Sequence, residues 1–222
     1  METSCKYATV LFTGGDKAGT EPWRSAAALC WETNSETNNV FTKDLVTDNL
    51  FSDNLLRQAW QKKINSPQSS SVGRLFDAAS VFCDLHNCVS YEGQGPMELE
   101  ALCNQPQSHI DMPLNKQNGI YIVDWEPLLK AMLNTDISAS DRSAIFHTSL
   151  AYNLLQQACI IREENNINTV SFSGGVFQNK LLTEYAINLL EADDFTVIFA
   201  EQIPVNDAGI SFGQVIDYTY KR

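Results

Sequence analysis

A short segment near the carboxyl end of the chain has the residue types of a phosphate cradle. Between Thr169 and Lys180 it reads TVSFSGGVFQNK, a strand-like run that breaks at Gly174 and Gly175 and resumes as a helical pattern. Glycines at such a turn let backbone N–H groups approach an anion, and the following helix offers unpaired donors and the positive end of its dipole. The segment predicts a nucleotide site, although α/β proteins also use Gly-Gly simply to turn tightly.

A carboxylate follows the next strand-like run, Phe195 to Ala200, in the turn Asn206-Asp207-Ala208-Gly209. Two such runs joined by a helix predict a parallel pair with a right-handed crossover, and ligands bind at the carboxyl ends of such strands. Asp207 is then expected on the same rim as the glycine turn, where it can hold a hard cation near phosphates. The alternative is an Asx turn or a helix cap.

Asp77 lies in a helical pattern from Val72 to Leu85 and is suited to bind a ribose, because carboxylates accept hydrogen bonds from vicinal hydroxyls. The alternative is a solvated helix residue that forms a surface ion pair with Arg74, three positions earlier. Both interpretations stay open at this point.

An acidic pair, Glu98 and Glu100, follows the glycine loop YEGQGP. Two glycines and a proline disfavour a regular helix over this loop, so the pattern predicts a helix from Met97 with Pro96 as its first position. Either carboxylate can accept a hydrogen bond from a sugar hydroxyl. The choice of Glu98 over Glu100 depends on counting the positions from Tyr91. Lys180 is placed to neutralise phosphate or to serve as a solvated helix lysine.

The elements that must position these residues follow from periodicity and from turn residues. A polar break is predicted over Asn34–Asn39. The predicted strands are Tyr7–Phe12, Ile120–Trp125, Thr169–Ser173 and Phe195–Ala200, and the predicted helices are Asp53–Ile64, Val72–Leu85, one that begins at Ser140, Val176–Leu190 and about Ala208–Tyr218.

Composition narrows the functional classes. The chain has 222 residues, of which 44% are apolar and 19% charged, as in soluble globular proteins. Its net charge of −12 opposes a broad nucleic-acid surface. No apolar run reaches the ~18 residues of a membrane span, and the amino terminus does not resemble a secretory signal, so we expect no membrane contact and a cytoplasmic location.

Cysteine and histidine spacing does not point to a metal knuckle. The six cysteines include no CxxC pair, and the three histidines stand far apart in the sequence. We therefore expect reduced, mostly buried thiols and structural or surface histidines.

Taken together, several strings resemble the C-terminal half of HypF, the hydrogenase-maturation carbamoyltransferase family. The resemblance covers nearly the whole chain, in matching order and spacing. The strings are SFSGGVFQNKLL, GRLFDAAS (Gly73–Ser80), VSYEGQGPMELEAL (Val89–Leu102), IPVNDAGISFGQ (Ile203–Gln214), GGDKAGTEPWR (Gly14–Arg24), VDWEPLL (Val123–Leu129) and FHTSLA (Phe146–Ala151).

The resemblance implies an α/β fold: an actin-like ATPase (ASKHA, Kae1-like) lobe with a mixed sheet, flanking helices and a helical insertion. Residues 1–222 would be the C-terminal portion of the Kae1-like domain, mainly helical over about 1–165 and β-α-β-α over about 166–222. It further implies that ATP is bound by one set of residues and that Asp207 is one metal ligand. The nucleotide-binding residues it implies are Gly73, Asp77, Glu98, Ser173, Gly174, Gly175 and Asn179.

The sequence departs from the family pattern in three respects. Ala208 stands where the family usually has glycine, so the turn either does not need a positive φ there or is slightly strained. The HHxAH-like histidine pair and the DGTGYG-like acidic loop do not occur in these 222 residues. We therefore expect a C-terminal fragment with an incomplete site for a divalent metal, magnesium or iron.

The implied reaction transfers a carbamoyl group from carbamoyl phosphate, through carbamoyl adenylate made with ATP, to the C-terminal cysteine of the partner HypE. That product leads to the cyanide ligand of nickel–iron hydrogenases. Alternatives are a Kae1-like tRNA threonylcarbamoyltransferase, which the acidic charge opposes, and a non-catalytic ASKHA interaction module. We expect the isolated fragment to be inactive as a transferase, and its catalytic residues stay unassigned.

Overall fold

The computed structural model describes residues 3–35 and 53–221, which fall into two compact units. One unit is Ser4–Ser149, and the other consists of Thr3 together with the residues from Leu150 onward. Most of the predicted break at Asn34–Asn39 lies outside the described residues. None of the helices in the described ranges combines the length and the apolar composition that a membrane crossing requires.

The first unit contains short strands and helices. The strands are β1 (Ser4–Tyr7), β2 (Val10–Leu11), β3 (Gln68–Ser69), β4 (Leu114–Gln117) and β5 (Ile120–Val123), and the helices are α1 (Trp23–Glu32), α2 (Asp53–Gln61), α3 (Val72–Phe82), α4 (Gln94–Leu102) and α5 (Glu126–Met132). A further helix, α6 (Ala139–Asn165), begins in this unit and continues into the second.

The sheet of the first unit is mixed, as predicted. β5 pairs in parallel with β1 and antiparallel with β4. The predicted single strand over Tyr7–Phe12 is wrong, because the chain leaves this sheet after Tyr7 and β2 pairs antiparallel with β3 instead. The Ala8 N–H still donates to the carbonyl of Val123 at 2.9 Å, which marks the point of departure.

Helix α3 is the central element of the first unit and packs against both α1 and α4. The spacing of Leu75, Phe76, Ala79 and Phe82 in the sequence predicts that they share one buried helix face, and all four are buried in the structure. The ring of Phe76 meets that of Phe146 edge to face, with centroids 4.8 Å apart. Because Asp77 lies on this packed helix, the fold holds its backbone in place.

The predicted start of α4 is wrong by three residues. Gly93 adopts a positive φ of 90° and α4 begins at Gln94, so Pro96 lies in the first turn, where no N–H is required. A Cβ on Gly95 would lie 2.6 Å from the Ser80 hydroxyl oxygen. Gly95 therefore allows α4 to approach α3 closely. Counting the helix-breaking residues Gly and Pro in the sequence does not reveal such a tertiary requirement.

The second unit contains the end of α6, β6 (Thr169–Ser171), α7 (Lys180–Ala192), β7 (Thr196–Ile198) and α8 (Ile210–Tyr220). β6 and β7 pair in parallel, as the crossover pattern predicted. The predicted helix over Val176–Leu190 is divided, with a 3₁₀ turn at Gly175–Gln178 before α7. A second 3₁₀ turn, Asp207–Gly209, precedes α8.

Candidate functional site

The glycine turn of the second unit needs glycine at Gly174, whose φ is 112°. The Gly174 N–H donates to the carbonyl of Val205 at 2.7 Å, so the turn after β6 is bonded directly to the segment after β7. Gly175 is exposed, and the atoms nearest to a Cβ built there lie 4.0 Å away. The two glycines therefore differ in role: Gly174 permits the positive φ of the turn, and Gly175 leaves open space beside the backbone.

This arrangement decides which backbone donors of the turn can meet an anion. The Gly174 N–H is already used, while Gly175 and Val176 open the 3₁₀ turn, whose first N–H groups have no partner within the turn itself. Ser173 is exposed beside them. A phosphate at this place would be met by the donors of Gly175 and Val176 and by the Ser173 hydroxyl.

The Asn206 side chain, and not that of Asp207, forms the Asx turn of the second segment. Asn206 Oδ1 accepts from the Ala208 N–H at 3.1 Å, and the Asn206 carbonyl accepts from Gly209 at 2.9 Å. Asp207 is exposed at the first residue of the 3₁₀ turn. Its carboxylate is therefore not the capping group.

The glycine requirement of this turn falls on Gly209. Ala208 is not among the described residues with a positive φ, so alanine causes no backbone strain there. A Cβ on Gly209 would lie closer than 3.0 Å to the backbone carbonyl oxygen of Pro204. The departure from the family pattern at Ala208 thus leaves the turn intact.

Asn179 connects the glycine turn to α7. It is nearly buried, and its Oδ1 accepts from the Leu182 N–H at 2.9 Å, which caps the helix. Lys180 is exposed, with its Nζ 3.7 Å from Glu184 Oε1. The capping bond fixes the start of α7 next to the glycine turn, while a direct contact of Asn179 with nucleotide stays a prediction.

In the first unit, Asp77 is buried, with 5% of its surface exposed. Its Oδ2 lies 2.8 Å from Arg74 Nη1, so the predicted ion pair exists, although Asp77 is not solvated. Burial raises the pKa of Asp77 to about 6; Arg74 lowers it and Glu92 raises it further. Arg74 also donates to the Ala18 carbonyl at 2.6 Å and to Glu92 at 3.0 Å.

The Arg74–Glu92 contact was not anticipated from the sequence. Arg74 is signalled only by its spacing from Asp77, and Glu92 only by its place in the YEGQ string. Gly73, on the same helix, has ordinary space around it, since a Cβ there would meet only Ser71 Oγ at 3.4 Å. Replacing Gly73 with alanine would therefore cause no steric clash within the protein.

Glu98 is held by both carboxylate oxygens. Gln94 Nε2 donates to Oε1 at 2.9 Å, and His86 Nε2 lies 3.0 Å from Oε2. The side-chain Oε1 of Gln94 in turn accepts from the Ser90 N–H at 2.9 Å. Glu98 thus has a fixed orientation on α4, the helix that packs on α3, while Glu100 lies two residues along the same helix.

Asp77 gives a pH-dependent prediction. Its folded pKa of about 6 lies above the ordinary value of 3.8, so the folded state binds the extra proton and stability falls as pH rises through this window. We expect the stability of the wild type relative to Asp77→Asn to increase by about 2–3 kcal/mol between pH 7 and pH 4. Urea unfolding at both pH values measures this, and parallel pH curves for the two proteins would contradict it.

The described residues do not form a complete metal site. No group of three or more His, Cys, Asp or Glu side chains in these ranges is placed to hold a metal ion. Asp207 could supply one ligand, but the other donors would have to come from elsewhere.

The site residues divide between the two units. Gly73, Asp77 and Glu98 lie in the first, on α3 and α4. Ser173, Gly174, Gly175, Asn179 and Asp207 lie in the second, where the Gly174–Val205 hydrogen bond brings their two turns together.

Comparison with known proteins places this geometry in a family. The family model for the second subdomain of the carbamoyltransferase Kae1-like domain matches residues 1–214. Carbamoyltransferase HypF of Synechocystis is 34% identical over 91% of this chain and 28% of its own length. The probable carbamoyltransferase HypF of Methanocaldococcus jannaschii is 30% identical over 94% of this chain and 27% of its length.

A crystal structure of full-length HypF in the phosphate- and nucleotide-bound form is also similar. It has a TM-score of 0.86 and 29% identity over 96% of this chain and 28% of that chain. The chain thus spans about a quarter of the length of these relatives. The similarity of fold confirms the Kae1-like α/β assignment. By sequence and by fold, the chain belongs to the HypF carbamoyltransferase family and corresponds to the second subdomain of its Kae1-like domain.

Proposed function

We propose that this chain is the nucleotide-binding part of a HypF-type carbamoyltransferase. The observation that carries the proposal is the hydrogen bond from Gly174 to Val205, which joins the glycine turn to the turn that holds Asp207. It occurs in a chain whose relatives are named carbamoyltransferase HypF, one of them solved with phosphate and nucleotide.

Each group has a distinct role in this proposal. The N–H donors of Gly175 and Val176 meet phosphate oxygens at the start of the 3₁₀ turn. The carboxylates of Asp77 and Glu98 accept from ribose hydroxyls. Asp207 contributes one ligand to a divalent cation, magnesium or iron, which screens phosphate charge when bound.

The reaction that we assign to the complete protein consumes carbamoyl phosphate and ATP. Water releases phosphate from carbamoyl phosphate, and an oxygen of the resulting carbamate attacks the α-phosphorus of ATP and displaces pyrophosphate, which gives carbamoyl adenylate. The C-terminal cysteine thiolate of a HypE-like partner then attacks the carbamoyl carbon. AMP leaves with the electron pair of the broken carbonyl–oxygen bond. The thiocarbamate on the partner is the precursor of the cyanide ligand in hydrogenase maturation.

Calorimetric titration with Mg-ATP tests the binding function. We expect micromolar binding by this chain, weakened at least tenfold by Gly175→Ala and by Asp77→Asn. The alanine Cβ fits the protein but occupies the space beside the phosphate donors. Gly213→Ala in α8, where a Cβ meets nothing within 4 Å, is the matched control and should bind like the wild type.

Two results would contradict the binding function: no heat with Mg-ATP, or equal affinity in all four proteins.

A separate assay addresses the transfer reaction. The described residues hold no complete metal site, so we expect no turnover of carbamoyl phosphate and ATP by this chain alone, even with a HypE-like protein added. Turnover under these conditions would overturn that expectation.

The second candidate is a non-catalytic interaction module, which the incomplete metal site favours. It predicts that the chain captures a HypE-like protein equally well with and without ATP, and that it shows no heat with Mg-ATP. The calorimetric experiment therefore separates the two functions.

A further inference from the structure

Glu92 is more accessible than either carboxylate assigned above to the ribose. Its side chain is 77% exposed, against 8% for Asp77 and 35% for Glu98. Oε1 of Glu92 lies 3.0 Å from Arg74 Nη2, and its Oε2 meets no donor within the residues that the structure describes. A bound molecule can therefore reach this second oxygen without displacing a protein contact.

The guanidinium of Arg74 fixes the position of the Glu92 carboxylate. Arg74 Nη1 donates to the Ala18 carbonyl at 2.6 Å and lies 2.8 Å from Asp77 Oδ2, while Nη2 donates to Glu92. The planar fork of arginine presents its donors in fixed directions. An exposed carboxylate is thus oriented by a side chain that is itself anchored at two other points.

The backbone around Glu92 brings three sequence strings to one place. Gly93 follows it with a positive φ of 90°, and the chain then enters α4. A Cβ on Gly19 would lie 3.8 Å from Cδ of Glu92. The strings GGDKAG, GRLFDAAS and YEGQ, which contain Gly19, Arg74 and Glu92 respectively, therefore meet at this carboxylate.

The charges at this place favour an uncharged ligand group that donates hydrogen bonds. The carboxylates of Asp77 and Glu92 repel a phosphate, and the Arg74 guanidinium that contacts both of them repels a metal ion. A carboxylate accepts hydrogen bonds and cannot donate them when it is ionised. Hydroxyl groups, such as the vicinal pair of a ribose, meet these conditions.

We propose that Glu92 is a specificity-determining residue that accepts a hydrogen bond from a ribose hydroxyl, and that Arg74 is its positioning residue. This inference rests on the proposed nucleotide-binding function, to which it adds a third carboxylate. Because Arg74 holds Oε1, the oxygen that meets the hydroxyl is Oε2. The exposed Glu92 then distinguishes nucleotides by their sugar.

Calorimetric titration with Mg-ATP and with Mg-2′,3′-dideoxy-ATP tests this role. We expect the wild type to bind ATP at least about tenfold more tightly than the analogue, which lacks both hydroxyl donors. Glu92→Ala should lower this preference at least about fivefold, because one charged acceptor is lost. Its affinity for the analogue should stay unchanged, whereas a merely structural effect would weaken the binding of both nucleotides alike.

Two further variants separate positioning from charge. Arg74→Lys keeps the positive charge but loses the fork that reaches Glu92 and Asp77 together, so it should also lower the preference for ATP. Glu126→Ala is the matched control, since it removes an exposed carboxylate of another ion pair in the same unit. The preference of this control should equal that of the wild type.

The outcomes distinguish this inference from the function on which it rests. An unchanged preference in Glu92→Ala, with Mg-ATP still bound, would overturn the role of Glu92 and leave nucleotide binding standing. An unchanged preference in Arg74→Lys would overturn the positioning role of Arg74. Absence of Mg-ATP binding by the wild type would overturn the binding function and this inference with it.

Discussion

Replacing Arg142 with methionine is expected to lower the free energy of unfolding by about 3 kcal/mol, because two helix ends then lose a charged donor. Arg142 Nη1 donates to the Phe82 carbonyl, at the end of α3, and to the Met132 carbonyl at 2.9 Å, at the end of α5. Its Nη2 reaches Asp84 Oδ2 at 3.3 Å. The guanidinium therefore joins three helices, since Arg142 itself lies on α6.

The size of this effect follows from burial. The Arg142 side chain is only 5% exposed, so water cannot replace the lost donors at the two carbonyls. Methionine retains most of the apolar part of the side chain, so the change in the free energy of unfolding reflects mainly the lost hydrogen bonds of the guanidinium. The change also releases the end of α3, the helix that carries Gly73 and Asp77.

Urea unfolding of Arg142→Met and of Lys130→Met measures the difference. Lys130 lies on α5 but is 67% exposed in an i,i+4 ion pair with Glu126, so its loss should change the free energy of unfolding far less than the loss of Arg142 does. A loss below about 1 kcal/mol for Arg142→Met would show that the guanidinium does not join these helices in solution.

Gly209→Ala is expected to destabilise the second unit by about 2 kcal/mol, because its Cβ has no room. The obstructing atom is the backbone carbonyl oxygen of Pro204, which cannot rotate away as a side chain can. The neighbouring Val205 carbonyl accepts the Gly174 N–H, so a shift of this segment reaches the glycine turn. We therefore expect Mg-ATP affinity to fall together with stability.

Gly213→Ala provides the matched control for this substitution. Gly213 lies in α8, four residues along the chain, with nothing within 4 Å of a Cβ, so alanine there should be neutral or stabilise by up to about 1 kcal/mol. Thermal unfolding of the two variants distinguishes steric exclusion at Gly209 from a general effect of replacing glycine. Equal transition temperatures would contradict the steric argument.

The features that sequence alone predicted well are local ones. The parallel pairing of β6 and β7 followed from two strand-like runs joined by a helical one, and the turn at Gly174 followed from the glycines. The buried face of α3 followed from helical spacing of Leu75, Phe76, Ala79 and Phe82. In each case the determining residues are neighbours in sequence.

The features that sequence missed depend on tertiary contact. The start of α4 at Gln94 depends on the positive φ of Gly93 and on the close approach of Gly95 to Ser80. The burial of Asp77 follows from the packing of α3 and not from the charge pattern around it. Asn206, and not Asp207, forms the Asx turn, because it is the Asn206 side chain that reaches the Ala208 N–H.

Amide hydrogen exchange with and without Mg-ATP tests most directly the claim that the glycine turn of the second unit binds nucleotide. We predict that Mg-ATP slows exchange at residues 174–179 and that this protection weakens in Gly175→Ala. Mg-ATP binding that leaves exchange at residues 174–179 unchanged, or exchange that Mg-ATP leaves unchanged throughout the chain, would contradict the assignment of this chain as a nucleotide-binding part of the family.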